Sequence, residues 1–268
     1  MISFPFIFSF LLATLLAGAA DESAPIIPKS DKKLPLPGES FLLNGREAFV
    51  ILPPNPTGPV PWVWYAPTLR GLPAKSEVWM FQKFLKQGIA IAGIDVGESY
   101  GNPAGRKAYS DLYNHLVKTK NFRPKPCLLA RSRGGLMLYN WAVENPEKVG
   151  AIAGLYPVCN LESYPGLTRA AGAYELTAEE LKAQLTIHNP VERLAPLARA
   201  KVPLFHLHGD NDKVVPLKAN SALLAERYRK LGGPIEVEVV KDGGHDMWQG
   251  WFQSETLTAF ASKHALGR

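Results

Sequence analysis

Four short apolar runs constrain this chain more than any other feature. Val60–Ala66 reads VPWVWYA, Gly88–Ile94 GIAIAGI, Cys127–Ala130 CLLA and Val149–Tyr156 VGAIAGLY. None alternates apolar with polar residues, so each must be covered on both faces, as strands of a parallel sheet flanked by helices are. Ala48–Leu52, Val202–Leu207 and Ile235–Val240 read as further strands. The intervening segments have helical spacing: Ala74–Gln87 puts Val78, Phe81, Phe84 and Leu85 on one face. Pro103–Thr119 opens with Asn102 as cap and Pro103 at its first position. Helices are also predicted over Ser132–Glu144, Leu217–Leu231 and Trp248–Lys263. The fold class is α/β: a mostly parallel twisted sheet with helices on both faces.

The ends and the middle of the chain read differently. Met1–Ala20 carries no charged side chain, and Ala17-Gly18-Ala19-Ala20 precedes Asp21-Glu22. This is the composition of a secretory signal cut after Ala19 or Ala20. It predicts a secreted or periplasmic protein with no integral membrane segment after cleavage. An uncleaved anchor is the alternative, although the apolar stretch is short for a ~30 Å hydrocarbon core. Residues 21–40 are Pro-rich and charged and read as an extended leader, and residues 41–268 as one α/β domain. Within it, residues 158–200 break the strand–helix rhythm, which makes them a lid-like insertion.

Several function classes are excluded. The net charge is +6, but Lys and Arg are scattered, so no nucleic-acid footprint is present. The Gly-rich pieces lack the phosphate-loop and dinucleotide signatures, and no His/Cys/Asp cluster has zinc spacing, so no cofactor and no metal is expected. Cys127 opens one strand and Cys159 follows the end of the next. In a parallel pair these positions lie at opposite edges of the sheet, beyond the ~7 Å Cα limit for a disulfide. Both are expected to be free, buried thiols. His115, His188 and His264 read as surface residues, and His206 and His208 as structural ones.

The segment Leu128–Tyr139, LLARSRGGLMLY, falls where a buried strand turns into a helix. A serine on so sharp a turn is held with its hydroxyl pushed outward, and the helix behind it aims free N–H groups at the same point. Small residues two positions away on each side, Ala130 and Gly134, let the turn close around Ser132. The usual pattern is Gly-x-Ser-x-Gly, from which Ala130 departs. Two more polar turns follow strands: His208–Pro216 (HGDNDKVVP) and Asp242–His245 (DGGH).

With Ser, Asp and His in that order, each just past a strand's carboxyl end, the chain over about residues 45–265 resembles the α/β-hydrolase superfamily. It is most similar to the esterase and prolyl-oligopeptidase-like branches. The resemblance implies Ser132 as nucleophile, His245 as general base and then acid, and Asp212, four residues after His208, as the group that orients the imidazole. Asp210 and Glu162 are rivals for the acid. The oxyanion hole needs two backbone donors. One is the Arg133 N–H; the other is that of Thr68 or Leu69, because Pro67 has none. Arg131 is expected to enter a salt bridge. Arg133 either serves the oxyanion or a substrate carboxylate, or pairs with an acid such as Glu98 or Glu162. Glucuronoyl esterases also place Arg directly after their nucleophile, a local similarity that stops at Leu136, where they carry Lys. Trp248 is a candidate substrate wall, and Trp251 reads as packing.

The function expected is hydrolysis of carboxylic esters through an acyl-enzyme. The partner is a small-molecule or carbohydrate ester, including acyl or uronate esters. An oligopeptidase-like peptidase is the second reading; with no β-propeller gate in the sequence, esters come first. A non-catalytic hydrolase-fold binding protein is the third.

Overall fold

A computed structural model describes residues 1–2 and 27–268. The secretory-signal reading of residues 1–20 therefore falls almost wholly outside the described residues. The strands are β1 (Glu39–Leu43), β2 (Arg46–Ile51), β3 (Trp62–Ala66), β4 (Ala90–Ile94), β5 (Cys127–Arg131), β6 (Ala151–Leu155), β7 (Leu204–Gly209) and β8 (Ile235–Val240). The helices are α1 (Val78–Lys86), α2 (Pro103–Asn114), α3 (Gly134–Ala142), α4 (Leu167–Ala171), α5 (Ala178–Ala183), α6 (Leu185–His188), α7 (Ala195–Arg199), α8 (Ser221–Lys230), α9 (Gln249–Phe252) and α10 (Glu255–Ala265).

The strands form one eight-stranded sheet in the order β1-β2-β4-β3-β5-β6-β7-β8. β1 and β2 are antiparallel, and all pairs from β4 to β8 are parallel. From β3 the chain steps to β4 on one side and then crosses back to β5 on the other. Loops leaving β3 and β5 therefore diverge around a topological switch point, where ligands of open α/β sheets bind.

Over the central strands both sheet faces are covered, as the apolar runs require, while edge strand β8 is only partly buried. On one face Trp62, Trp64 and Leu128 pack with Tyr109, Leu112, Leu138 and Trp141 of α2 and α3 and with Leu224 and Tyr228 of α8. On the other, Val63, Tyr65, Ile91 and Leu129 pack with Phe81 and Phe84 of α1 and Leu257, Ala261 and Ala265 of α10. The insertion after β6 has its own small core: Leu161, Ala170, Tyr174 and Leu181 close over Leu136, Tyr100 and Val215. No described helix is long and apolar enough to cross a membrane. Both cysteines are free and buried.

Four details depart from the sequence reading. β1 was not expected; Asn44-Gly45, with φ of 50° and 78°, turns it back onto β2, as this dipeptide does in tight hairpins. The segment expected as one final helix breaks at Gln253-Ser254, where the Ser254 hydroxyl accepts from the Leu257 N–H and caps α10. Leu217–Ala219 is a 3-10 turn ahead of α8. His188 is not a surface residue: it is 7% exposed and lies between Arg106 and the Tyr174 ring. Its neighbours come from α2 and the insertion, a long-range packing that helical periodicity does not report.

Candidate active site

The nucleophile candidate sits at the end of β5. Ser132 has φ +48°, a left-handed backbone that a non-glycine residue adopts only when its surroundings impose it. The surroundings do so. The Ser132 N–H donates to the Leu155 carbonyl, and the Ser132 carbonyl accepts from Gly135 and Val158. Helix α3 then starts hard against β3. A Cβ on Gly134 would lie 2.2 Å from the Ala66 carbonyl oxygen, so the turn closes only with glycine there. Ala130 is in register with Ala66 on one side and Gly154 on the other, and this row of small residues gives the elbow room.

The three residues far apart in sequence meet here. Ser132 Oγ is 2.9 Å from His245 Nε2, and His245 Nδ1 is 2.7 Å from Asp212 Oδ2. An ionised carboxylate only accepts, so the Nδ1 atom carries the proton and Nε2 accepts from the serine hydroxyl. The Asp212 side chain is buried, and its Oδ1 accepts from the N–H groups of Val214 (2.9 Å) and Val215 (2.7 Å). Burial alone would raise its pKa. Hydrogen bonds from His208 and His245 and from the Val215 N–H outweigh that and hold the carboxyl well below the usual carboxylate range. The two rival acids lie elsewhere. Glu162 is exposed, and Asp210 caps the neighbouring turn by accepting from the Asp242 N–H.

Asp212 is held from behind by a buried chain of polar groups. Tyr139 OH is 2.7 Å from His206 Nε2, and His206 Nδ1 is 2.9 Å from Ser221 Oγ. Ser221 Oγ is 2.7 Å from His208 Nδ1, and His208 Nε2 lies 2.8 Å from the Val215 carbonyl and 3.4 Å from Asp212 Oδ2. The Val215 carbonyl can only accept, which fixes the rest: His208 donates from Nε2, Ser221 donates to His208, His206 donates to Ser221 and Tyr139 donates to His206. Burial, helped by the neighbouring His208, pushes the His206 pKa down to about 3, so this imidazole stays neutral.

The His245 loop is set by contact with β7 and β6. A Cβ on Gly209 would be 2.0 Å from the Gly243 carbonyl oxygen, so glycine admits the loop. The Tyr156 ring stands 4.4 Å from the imidazole, at 54°.

The two arginines beside the serine part company. Arg131 turns under the sheet end and pairs with buried Glu77, which also accepts from Tyr65 OH, the Ala74 N–H and Ser76 Oγ. Arg133 lies on the rim and pairs with Glu98, both partly open to solvent. Of the oxyanion candidates, Thr68 is buried, with its hydroxyl donating to the Tyr65 carbonyl; Leu69 is half-buried. Among the described residues nothing accepts from the N–H groups of Thr68, Leu69 or Arg133. Trp248 is 55% exposed and meets Trp251 edge-on, while Trp251 is buried. Among the described residues no acidic, His or Cys group could hold a metal ion.

Comparisons with known proteins place the chain by family and by fold. The description of the prolyl oligopeptidase family matches residues 109–265, more than half of the chain. The chain belongs to the prolyl oligopeptidase family. It is a serine hydrolase of α/β-hydrolase fold. Solved structures share the fold at low identity. An S-formylglutathione hydrolase from Agrobacterium tumefaciens is 15% identical with a TM-score of 0.67, over 85% of this chain and 95% of that one. An esterase domain from Rhodothermus marinus is 20% identical with a TM-score of 0.61, over 85% and 98%. Dipeptidyl peptidase 4 from Porphyromonas gingivalis is 14% identical with a TM-score of 0.67, over 86% of this chain but 35% of its own. No curated protein matches the chain in sequence.

Sequence reasoning did not find Glu77, Tyr156, or the role of Tyr139 and Ser221 behind the acid. Glu77 carried only half of a helix-start signal: its carboxylate accepts from the Ala74 N–H three residues back, but Ala74 has no side-chain oxygen to complete a capping box. The others carried none: they reach the site across the sheet, from strands and helices that a local pattern cannot relate.

Proposed function

We propose that the protein hydrolyses carboxylic esters through an acyl-enzyme on Ser132. The observation that carries this reading is the unbroken contact from Ser132 Oγ through His245 to buried Asp212. In the first half-reaction Ser132 Oγ bonds to the carbonyl carbon while its proton passes to His245 Nε2. The carbonyl oxygen takes the negative charge, facing the Arg133 N–H and the N–H of Thr68 or Leu69. Collapse breaks the bond to the alcohol oxygen, which leaves with the proton from His245. Water then repeats the sequence on the acyl-enzyme and releases the acid. Asp212 stays ionised throughout and compensates the imidazolium.

Taken to a substrate, the reading favours an exported enzyme acting on acyl or uronate esters of carbohydrate. Its supports are the uncharged apolar first twenty residues, and a hollow of about 230 Å³ on the loop that carries His245, lined by Asp242, Asp246 and Trp248. An indole face takes the C–H face of a sugar, and carboxylates accept from its hydroxyls. Peptide cleavage is the second reading, favoured by the family match.

The test is hydrolysis of p-nitrophenyl acetate, of acetylated and uronate-ester sugars and of aminoacyl p-nitroanilides by the wild type and by Ser132→Ala. Ester turnover that falls by about 10⁶-fold in Ser132→Ala, with circular dichroism unchanged, is expected. Full activity in that variant would end the nucleophile assignment, and faster anilide than ester turnover would put peptides first.

A further inference from the structure

The loop Pro67–Gly71 leaves β3 at the switch point and carries the second oxyanion donor on the reading above. It has no strand partner, so something else must fix it. Thr68 is fixed locally: its hydroxyl donates to the Tyr65 carbonyl, and the space is made by Gly93 of β4, where a Cβ would lie 2.3 Å from Thr68 Oγ1. Leu69 is fixed from a distance. Its carbonyl accepts from the Leu72 N–H within the loop and from Lys32 Nζ, at 2.9 Å, in the N-terminal arm.

Lys32 is an unusual residue for that purpose. Lysine is seldom buried, yet this one is 9% exposed. Burial lowers its pKa, against the charges of Asp95 and Glu47 nearby, which raise it. The arm that delivers it is itself anchored. Pro28 and Ser30 pair with Leu42 and Ser40 along the sheet edge, Ser30 Oγ donates to Glu47, and the Lys32 N–H donates to Ser30 Oγ. The chain thus crosses thirty-seven positions to place one ammonium against one carbonyl of the oxyanion loop.

We propose that Lys32 is a positioning residue for the reaction: its ammonium clamps the Leu69 carbonyl and so holds the Thr68 and Leu69 N–H groups aimed at the developing oxyanion. This inference rests on the acyl-enzyme reading of the site. It assigns the segment ahead of the sheet a part in catalysis, without contact between Lys32 and substrate.

The test compares Lys32→Met, Lys32→Arg and Ser30→Ala in the full chain on p-nitrophenyl acetate, with a trifluoromethyl ketone as transition-state analogue. Misplacing a donor by about an ångström costs up to about 100-fold. Lys32→Met is expected to lose about 10- to 100-fold in kcat with KM nearly unchanged, and to weaken the ketone by the same factor. Lys32→Arg is expected to recover part of both. Ser30→Ala loosens the arm but leaves the clamp, so its kcat should stay within about twofold even if its Tm falls. Wild-type kcat and ketone affinity in folded Lys32→Met would overturn the proposal. So would equal kcat losses in Lys32→Met and Ser30→Ala, which mean arm stability alone. If Lys32→Met fails to fold, Lys32→Arg and Lys32→Gln are read in the same way. Failure of the acyl-enzyme reading is told apart by Ser132→Ala, which would then retain turnover whatever Lys32 does.

Discussion

Arg131 and Arg133 flank the same serine, and each pairs with a glutamate, yet the pairs are different objects. Glu77 and Arg131 have side chains 3% and 12% exposed, and Glu77 accepts from three further donors. Glu98 and Arg133 are 43% and 34% exposed, and their attraction is screened by water and salt. The first pair ties the strand under the nucleophile to the start of α1. The second lies at the mouth, where it can open at little cost when a substrate arrives. Placement relative to water, not residue type or distance along the chain, separates structural charge from adaptable charge. Asp212 belongs with Glu77: it is buried, and its oxygens are filled by neighbours.

If that contrast is right, effects should fall in order of burial. The largest is expected from Asp212→Asn. An amide facing His245 can donate to Nδ1, which turns the imidazole to the wrong tautomer, and kcat should fall by about 10⁴-fold in ester turnover. The same carboxyl gives a pH signature. Its folded pKa lies below the unfolded value of ~3.9, so its stabilisation is complete above that value and is lost as pH falls below it. Urea midpoints of wild type and Asp212→Asn should therefore converge below about pH 4; a gap that stays constant to pH 2 would break the assignment.

Glu77→Ala comes next. It strands the Arg131 charge in a buried place, and a loss of about 3–5 kcal/mol in urea unfolding is expected. A loss below ~1 kcal/mol would erase the distinction between the two arginines. Ser221→Ala interrupts the polar chain behind Asp212 and leaves His206 and His208 each short of a partner, a loss of about 1–3 kcal/mol. Smallest is Glu98→Gln, within ~1 kcal/mol of wild type and closer still in 1 M NaCl. A salt-independent loss of several kcal/mol there would show that the rim pair is structural after all.

Much of the sheet was legible because parallel strands buried on both faces are written as continuous apolar runs, whose lengths and order survive folding. β1 was missed although Asn44-Gly45 marked its turn, because the Pro-rich, charged stretch before it reads as leader. Ser132 could be singled out because it closely follows such a run, whereas Asp212 and His245 were legible through the resemblance carried by the HGDNDKVVP and DGGH turns, since β8 reads IEVEVV and is only partly buried. The outlook was poorer for His188, whose burial comes from α2 and the insertion closing on it from both sides.

The sequence by itself determined the alternation of strands and helices and the small residues, Ala130 and Gly134, that flank the turn at Ser132. Those follow from local sterics and from the pattern of apolar residues. Tertiary structure alone decided which acid meets His245, which arginine is buried, and that an arm residue, Lys32, reaches the loop after β3. These are choices among chemically equivalent groups, and only the strand order, which brings distant loops to one edge of the sheet, distinguishes them.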